Sequence, residues 1–124
     1  MQKVRTTAYT HDEGTGNRNA IGQRLSNAGL KSAASDWSRY PLGTRFRIVG
    51  SADEYIIDDY GGALVGTNTI DLYKPSRLEM RRWGVRHIDV EILRWGSDKE
   101  SLRVLRPRKS TRLARRMIAS LESK

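Results

Sequence analysis

Cysteine is absent from the 124 residues, which excludes disulfides, thiolate chemistry and cysteine-based zinc sites together. That absence leaves the compartment open, since an oxidising envelope tolerates a cysteine-free chain as well as a cytosol does. Phenylalanine occurs once and proline three times, so a core must be built mainly from aliphatic side chains, tyrosine and tryptophan. No apolar run approaches the roughly 20 residues of a membrane span. The opening MQKVRTTAYTH carries no apolar stretch of an export signal either. GNRNAIG lacks the spacing and the Lys-Ser/Thr pair of a phosphate loop, and no serine sits in a nucleophile-elbow sequence. His11 and His87 are far apart and have no cysteine partners, so neither a metal site nor a cofactor is expected. The length is that of a single domain.

What is abundant is positive charge, a formal +9, and it is unevenly placed. Residues 94–124 hold ten Lys/Arg against three acids, and residues 1–35 hold five against two. Residues 36–93 are close to neutral, with eight against nine. A basic end attracts any polyanion, including an anionic wall polymer or a membrane surface. The neutral middle argues against the continuous positive face of a nucleic-acid-binding protein.

Short alternating segments dominate the pattern. Residues 4–9, 45–49, 54–59, 69–73 and 85–93 read as strands, with Ile70 and Leu72 on one face of their strand and Asp71 and Tyr73 on the other. Leu102, Val104 and Leu105 suggest a final strand. Residues 11–29, rich in glycine and asparagine, read as a long loop of the kind that faces ligands. Ser76 and Glu79 have capping-box spacing before a short helix that Gly84 ends. Pro107 is expected to end the last strand. Ser110 or Thr111 then caps a helix whose Leu113, Ala114, Met117, Ile118 and Leu121 share a face. That face should dock on the barrel or on a second copy of the chain. Gaps too short for crossover helices exclude a parallel α/β sheet, and a small closed barrel is the better architecture. The expected division is a barrel domain over residues 1–106 and a basic helical extension over 107–124.

The acids stand out against this basic chain. Asp36, Asp59 and Asp71 each adjoin turn residues or an aromatic, and Asp71 sits on a strand that can hold its carboxylate rigidly. Gly61 and Gly62 permit a sharp turn or close approach to a ligand, and Asn68 adds an amide before the strand. Spacing alone leaves two readings open: turn caps paired with arginines, or acids whose proton affinity is raised by burial and by each other. DDYGG lacks the alternating ligands of a calcium loop. Trp37 and Trp95 suit packing, with sugar stacking as the competing role, and Trp83 suits the core.

Four ordered segments then carry a resemblance: TTAY at 6–9, AASDWSRYPLGTRFRI at 33–48, DYGGALVGTNTIDLY at 59–73 and WGVRHIDVEIL at 83–93. The sequence resembles the 3D (three-aspartate) domain, and through it the catalytic barrel of MltA-type lytic murein transglycosylases. The resemblance implies a mainly β fold, a six-stranded double-psi β-barrel with one short helix and a C-terminal amphipathic helix. It implies cleavage of the β-1,4 bond between N-acetylmuramic acid and N-acetylglucosamine, leaving 1,6-anhydromuramic ends. On the family pattern Asp71 is the catalytic acid and base, and Asp59 gives electrostatic support. Asp36, Tyr60, Gly61, Gly62, Asn68 and Tyr73 are placed in the substrate-binding surroundings. The implied partner is the glycan strand of peptidoglycan and the implied location the cell envelope, periplasmic or secreted. A non-catalytic glycan-binding barrel is the first alternative, and a basic nucleic-acid-binding module, disfavoured by the neutral middle, the second.

Overall fold

The computed structural model describes residues 1–11 and 16–124, so part of the long loop, residues 12–15, lies outside the described residues. Six strands close into a barrel: β1 (Gln2–Tyr9), β2 (Leu30–Ala34), β3 (Arg45–Ile48), β4 (Glu54–Asp59), β5 (Thr69–Tyr73) and β6 (Arg86–Arg94). Their order around the barrel is β1-β5-β2-β4-β3-β6. The β1–β5 and β2–β4 pairs are parallel, and the other four pairs are antiparallel. A closed six-stranded barrel of this mixed pairing is consistent with the double-psi architecture, and closure leaves no unpaired edge.

Alternation explains which side chains fill the barrel. Val4 and Thr6, Phe46 and Ile48, Tyr55 and Ile57, and Ile70 and Leu72 are buried at every second position. Phe46 faces Tyr55 across the β3–β4 pair and stacks on it, with ring centroids 5.4 Å apart and 11° between the planes. Thr6 is a polar residue in this core, and both its hydrogen bonds are made. It donates to the Arg86 carbonyl at 2.8 Å and accepts from Trp83 Nε1 at 3.0 Å. The second bond latches α1 (Arg77–Trp83) to β1. Ser76 caps α1 by accepting from the Glu79 amide at 3.2 Å, and Gly84 closes it at φ 63° with its N–H on the Met80 carbonyl. Trp83 is half-buried there rather than central, with Lys74 and Arg86 over its ring.

Six strands are present, but one stands elsewhere than expected. Residues 102–105 are not a strand; they belong to α2 (Asp98–Leu105). Ser97 caps this helix by accepting from the Glu100 amide at 2.9 Å, the same Ser-x-x-Glu spacing as Ser76 and Glu79. Local capping thus outweighs the β-branched Val104. Pro107 accordingly ends no strand but sits in the 3-10 turn Arg106–Arg108. The sixth strand is β2, whose sequence LKSAA has no aromatic or β-branched residue. It lies between β4 and β5, where Ser32, Ala33 and Ala34 are small enough to be buried.

After the 3-10 turn, Thr111 caps α3 (Arg112–Glu122) by accepting from the Ala114 amide at 3.3 Å. Ala114, Met117 and Leu121 face inward and join Leu105, Trp37, Tyr40, Leu42 and Val65 in the buried core. The apolar face of α3 is therefore covered within the chain. Ser101 on α2 is fully buried and accepts from the Leu42 amide at 3.0 Å. Gly96 permits the approach that brings α2 there: a Cβ on it would lie 2.6 Å from the Pro41 carbonyl and 2.5 Å from the Thr44 amide.

Candidate active site

The outer face of β1, β5, β2 and β4 carries a row of side chains set by strand register. Thr7 pairs with Asp71, Asp71 with Ala34, and Ala34 with Asp59. Directly paired residues share a face, so the two acids flank the small side chain of Ala34. Two strand spacings put their backbones about 10 Å apart. In the next row Tyr9 pairs with Tyr73.

Asp59 reaches this face through an irregularity. Ala33 pairs with Ile57, but the next residue, Ala34, pairs with Asp59, so Asp58 is an extra residue in β4. In strict alternation Asp59 would point into the barrel with Tyr55 and Ile57. The bulge turns both Asp58 and Asp59 outward, a re-aiming that bulges commonly perform. The main chain is then pinned, since the Asp59 carbonyl accepts from the Ser35 amide at 3.1 Å and from Trp37 Nε1 at 2.8 Å.

The three clustered acids differ in surroundings. Asp71 accepts from Thr7 Oγ1 at 2.8 Å through Oδ1, which leaves Oδ2 without a partner among the described residues. Burial pushes its proton affinity above the usual carboxylate range, against the opposing effects of Thr7 and nearby Arg5. Asp59 is raised to about 6, chiefly by burial, with the Asp58 charge adding and the Tyr60 amide, 3.0 Å from Oδ1, opposing. Asp58 is also raised by burial, but it is tied down structurally. Its Oδ2 accepts from Ser32 Oγ at 2.6 Å and Asn19 Nδ2 at 3.0 Å, fastening the residue 17–25 segment to the barrel.

Tyr9 is the group between them. Its hydroxyl is buried and makes no hydrogen bond among the described residues. Burial first, then the charges of Asp59, Asp58 and Asp71, raise its proton affinity far beyond the ordinary phenol. The hydroxyl is near enough to favour the Asp59 charge while standing outside hydrogen-bonding geometry. Its ring packs edge-on against Tyr73 at 5.6 Å, and the Tyr73 hydroxyl is 2.6 Å from His11 Nδ1. Composition did not single out Arg5, Thr7 or Tyr9. The signal was available in β1, where these three alternate with buried Val4 and Thr6.

Of the expected site residues, the fold gathers Asp71, Asp59 and Tyr73, with Tyr60 beside them. Tyr60 meets Trp37 edge-on at 5.0 Å, and its hydroxyl accepts from Arg108 at 3.2 Å. Arg108 also donates to the Ala20 carbonyl, so it joins Tyr60 to the loop that Asp58 holds. Gly61 and Gly62 follow, yet neither has a left-handed φ, and a Cβ on Gly62 would meet nothing within 4 Å. The chain nevertheless turns here, with the Leu64 and Val65 amides donating to the Gly61 carbonyl at 3.1 and 3.3 Å, and Gly62 leaves open space beside Tyr60. Asn68 is exposed at the other end of β5, about 10 Å along the strand from Asp71. There it accepts from the Tyr40 hydroxyl at 2.7 Å. Asp36 is buried and spent on structure: Oδ1 accepts from the Ser38 amide and hydroxyl at 2.9 and 2.7 Å, and Oδ2 from the Gly66 amide at 2.8 Å. Among the described residues, no three His, Cys, Asp or Glu side chains gather as a metal site.

A closed mixed barrel with two carboxylates of raised proton affinity in one register row of its outer face marks a small β-barrel with an acidic row. The chain belongs to the 3D domain family, which matches residues 31–94. It is also 37% identical over 92 residues to the cell wall-binding protein YocH of Bacillus subtilis (strain 168), a match covering 73% of this chain and 31% of that protein. The chain thus spans about a third of the length of that relative. No helix among the described residues is long and apolar enough to cross a membrane.

Proposed function

We propose that the protein acts on peptidoglycan at the cell envelope, as a lytic transglycosylase that cuts between N-acetylmuramic acid and N-acetylglucosamine. The observation that carries this is the register row Asp71–Ala34–Asp59, two carboxylates of raised proton affinity flanking a small side chain. Membership of the 3D family and a relative named for cell wall binding support the substrate class.

Asp71, protonated, donates to the glycosidic oxygen as the bond breaks. Its carboxylate then accepts the proton of the muramoyl C6 hydroxyl, which attacks C1 and closes the anhydro ring. Thr7 fixes the Oδ1 side, so Oδ2 is the oxygen presented to the substrate. Arg5 steadies the carboxylate once the proton has left. Asp59, when ionised, stabilises the positive charge developing on the sugar. The attacking hydroxyl belongs to the sugar itself, so the carboxylate spacing of water-using glycosidases does not apply.

Digestion of purified peptidoglycan with mass analysis of the products tests this. Anhydro-muropeptides are expected from the wild type, with rate falling as pH rises through the raised titration of Asp71. Asp71→Asn should lower the rate by about 10²–10⁴ while remaining folded. A folded variant that cuts as fast as wild type removes Asp71 from the chemistry. The relative's name favours a second reading, a barrel that binds wall glycan without cutting it. Binding to sacculi with no product from the wild type would select that reading.

A further inference from the structure

A second recess lies apart from the acid row, over β3 and β4 and between the residue 21–30 segment and α2. It is a cleft of about 940 Å³, with Arg24, Arg45, Arg94, Arg103, Trp95 and Ser97 in its walls. That volume suits a ligand of several rings or residues. Asp58 also lines it; its Oδ2 is engaged by Ser32 and Asn19, while its Oδ1 is buried without a hydrogen-bond partner among the described residues. Two guanidiniums hold carboxylates of the chain itself, Arg45 on Glu54 at 2.6 Å and Arg103 on Glu100. Arg24 and Arg94 have no carboxylate partner among the described residues, so two guanidiniums in the cleft wall are left to meet a ligand.

Trp95 gives the cleft a flat wall. One face of its indole stacks on Tyr40 with 6° between the planes, yet the residue remains 54% exposed. Tyr40 is itself buried, and its hydroxyl is held by Asn68 at 2.7 Å. Neighbouring Gly96 is locked against the Leu42 and Thr44 backbone, with its amide on Thr44 Oγ1 at 3.0 Å. A large exposed aromatic held this rigidly loses little conformational freedom when a ring lies on it. Free guanidiniums beside it supply paired donors that match a planar carboxylate.

We propose that this cleft is a second glycan site, in which a sugar ring stacks on Trp95 while carboxylates of its attached peptide engage Arg24 and Arg94. The ligand's identity rests on the peptidoglycan reading. The cleft would hold a peptide-bearing strand independently of cleavage at Asp71.

The test is equilibrium binding to purified sacculi that have been stripped of anionic wall polymers, at low and high salt. Wild type, Trp95→Ala, Trp95→Phe and the Arg24→Ala/Arg94→Ala pair are compared, with thermal unfolding confirming that each is folded. Trp95→Ala should weaken binding about tenfold at both salt concentrations, with Trp95→Phe recovering much of it. The arginine pair should weaken it about tenfold at low salt and flatten the salt dependence. Glycan freed of its peptides by an amidase should bind wild type as weakly as intact sacculi bind the arginine pair. If cleft variants bind stripped sacculi as tightly as wild type, the cleft proposal is overturned and the peptidoglycan reading stands. Wild-type binding that vanishes once wall polymers are stripped overturns the carboxylate assignment. Should the wild type neither bind nor cut sacculi of either kind, the peptidoglycan reading falls and the cleft proposal with it.

Discussion

Replacing Asp59 by Asn should make the protein more stable at neutral pH and less able to act on its substrate. Burial raises the Asp59 carboxyl from 3.8 to about 6, and the neighbouring Asp58 charge adds to the effect. An unfolded chain gives up this proton near pH 4, whereas the native chain holds it until about pH 6. As pH rises through that window the unfolded state ionises first and gains on the native state. The penalty is therefore absent below about pH 4 and complete above about pH 6.5. Two units correspond to about 3 kcal/mol at most. Solvent reaches this half-buried group and screens it, which reduces the figure to about 1–2 kcal/mol. Asparagine keeps the oxygen that accepts from the Tyr60 amide at 3.0 Å but carries no charge. For a domain of this size the gain is about 3–8 °C in unfolding temperature at pH 7. Thermal unfolding of both proteins across the interval from about pH 4 to pH 7.5 measures it. The two curves should coincide at the acid end and separate as pH rises. A variant less stable than wild type at pH 7, or a difference that does not change with pH, would refute the placement of a strained charge at Asp59.

Tyr9→Phe removes a buried hydroxyl that has no partner among the described residues, so stability should change by less than about 1 kcal/mol. The Asp59 titration, followed by carboxyl NMR shifts, should move further upward, because Tyr9 favours the ionised form; an unmoved titration would separate the two groups. Gly96→Ala drives a Cβ into the backbone of residues 41–44 and should destabilise by about 2–4 kcal/mol in denaturant unfolding. Met117→Ala empties a fully buried position on α3 and should cost about 2–4 kcal/mol. A smaller loss at Met117 would mean that α3 is not part of the cooperative core.

The strands that were legible in the sequence are those with alternation a single chain displays: Phe46 and Ile48, Tyr55 and Ile57, Ile70 and Leu72. β2 was hidden because its residues are chosen for smallness at a crowded position between two strands, not for intrinsic strand preference. Residues 102–105 are helical despite the strand-like Leu102, Val104 and Leu105, because Ser97 and Glu100 repeat the capping signal of Ser76 and Glu79 just upstream. Asp71 was legible as an outward acid because β5 alternates strictly. The orientation of Asp59 was not, since a bulge shows only when two strands are aligned and one carries an extra residue. Nor could the spacing separate Asp36 from the other two acids. Its carboxylate is consumed by Ser38 and Gly66, and Gly66 is thirty residues away.

That extra residue links the fold to the site. A β4 without it would bury Asp59 beside Ile57 and leave Asp71 alone on the outer face. With it, Asp58 and Asp59 are adjacent outward acids that take different work. Asp58 accepts from Ser32 and Asn19 and so fixes the loop beside the acid row, while Asp59 keeps a raised carboxyl near Tyr9. The C-terminal segment reinforces the same wall, because Arg108 bridges Tyr60, next to Asp59, and Ala20, next to Asn19. The basic end of the chain thus commits at least one of its arginines to bracing the residues beside Asp59. Its charge cannot be assigned wholesale to attracting a polyanion. Ala34 completes the arrangement from the opposite direction: it is buried between strands that both present acids, so a larger side chain at that position would crowd the two carboxylates.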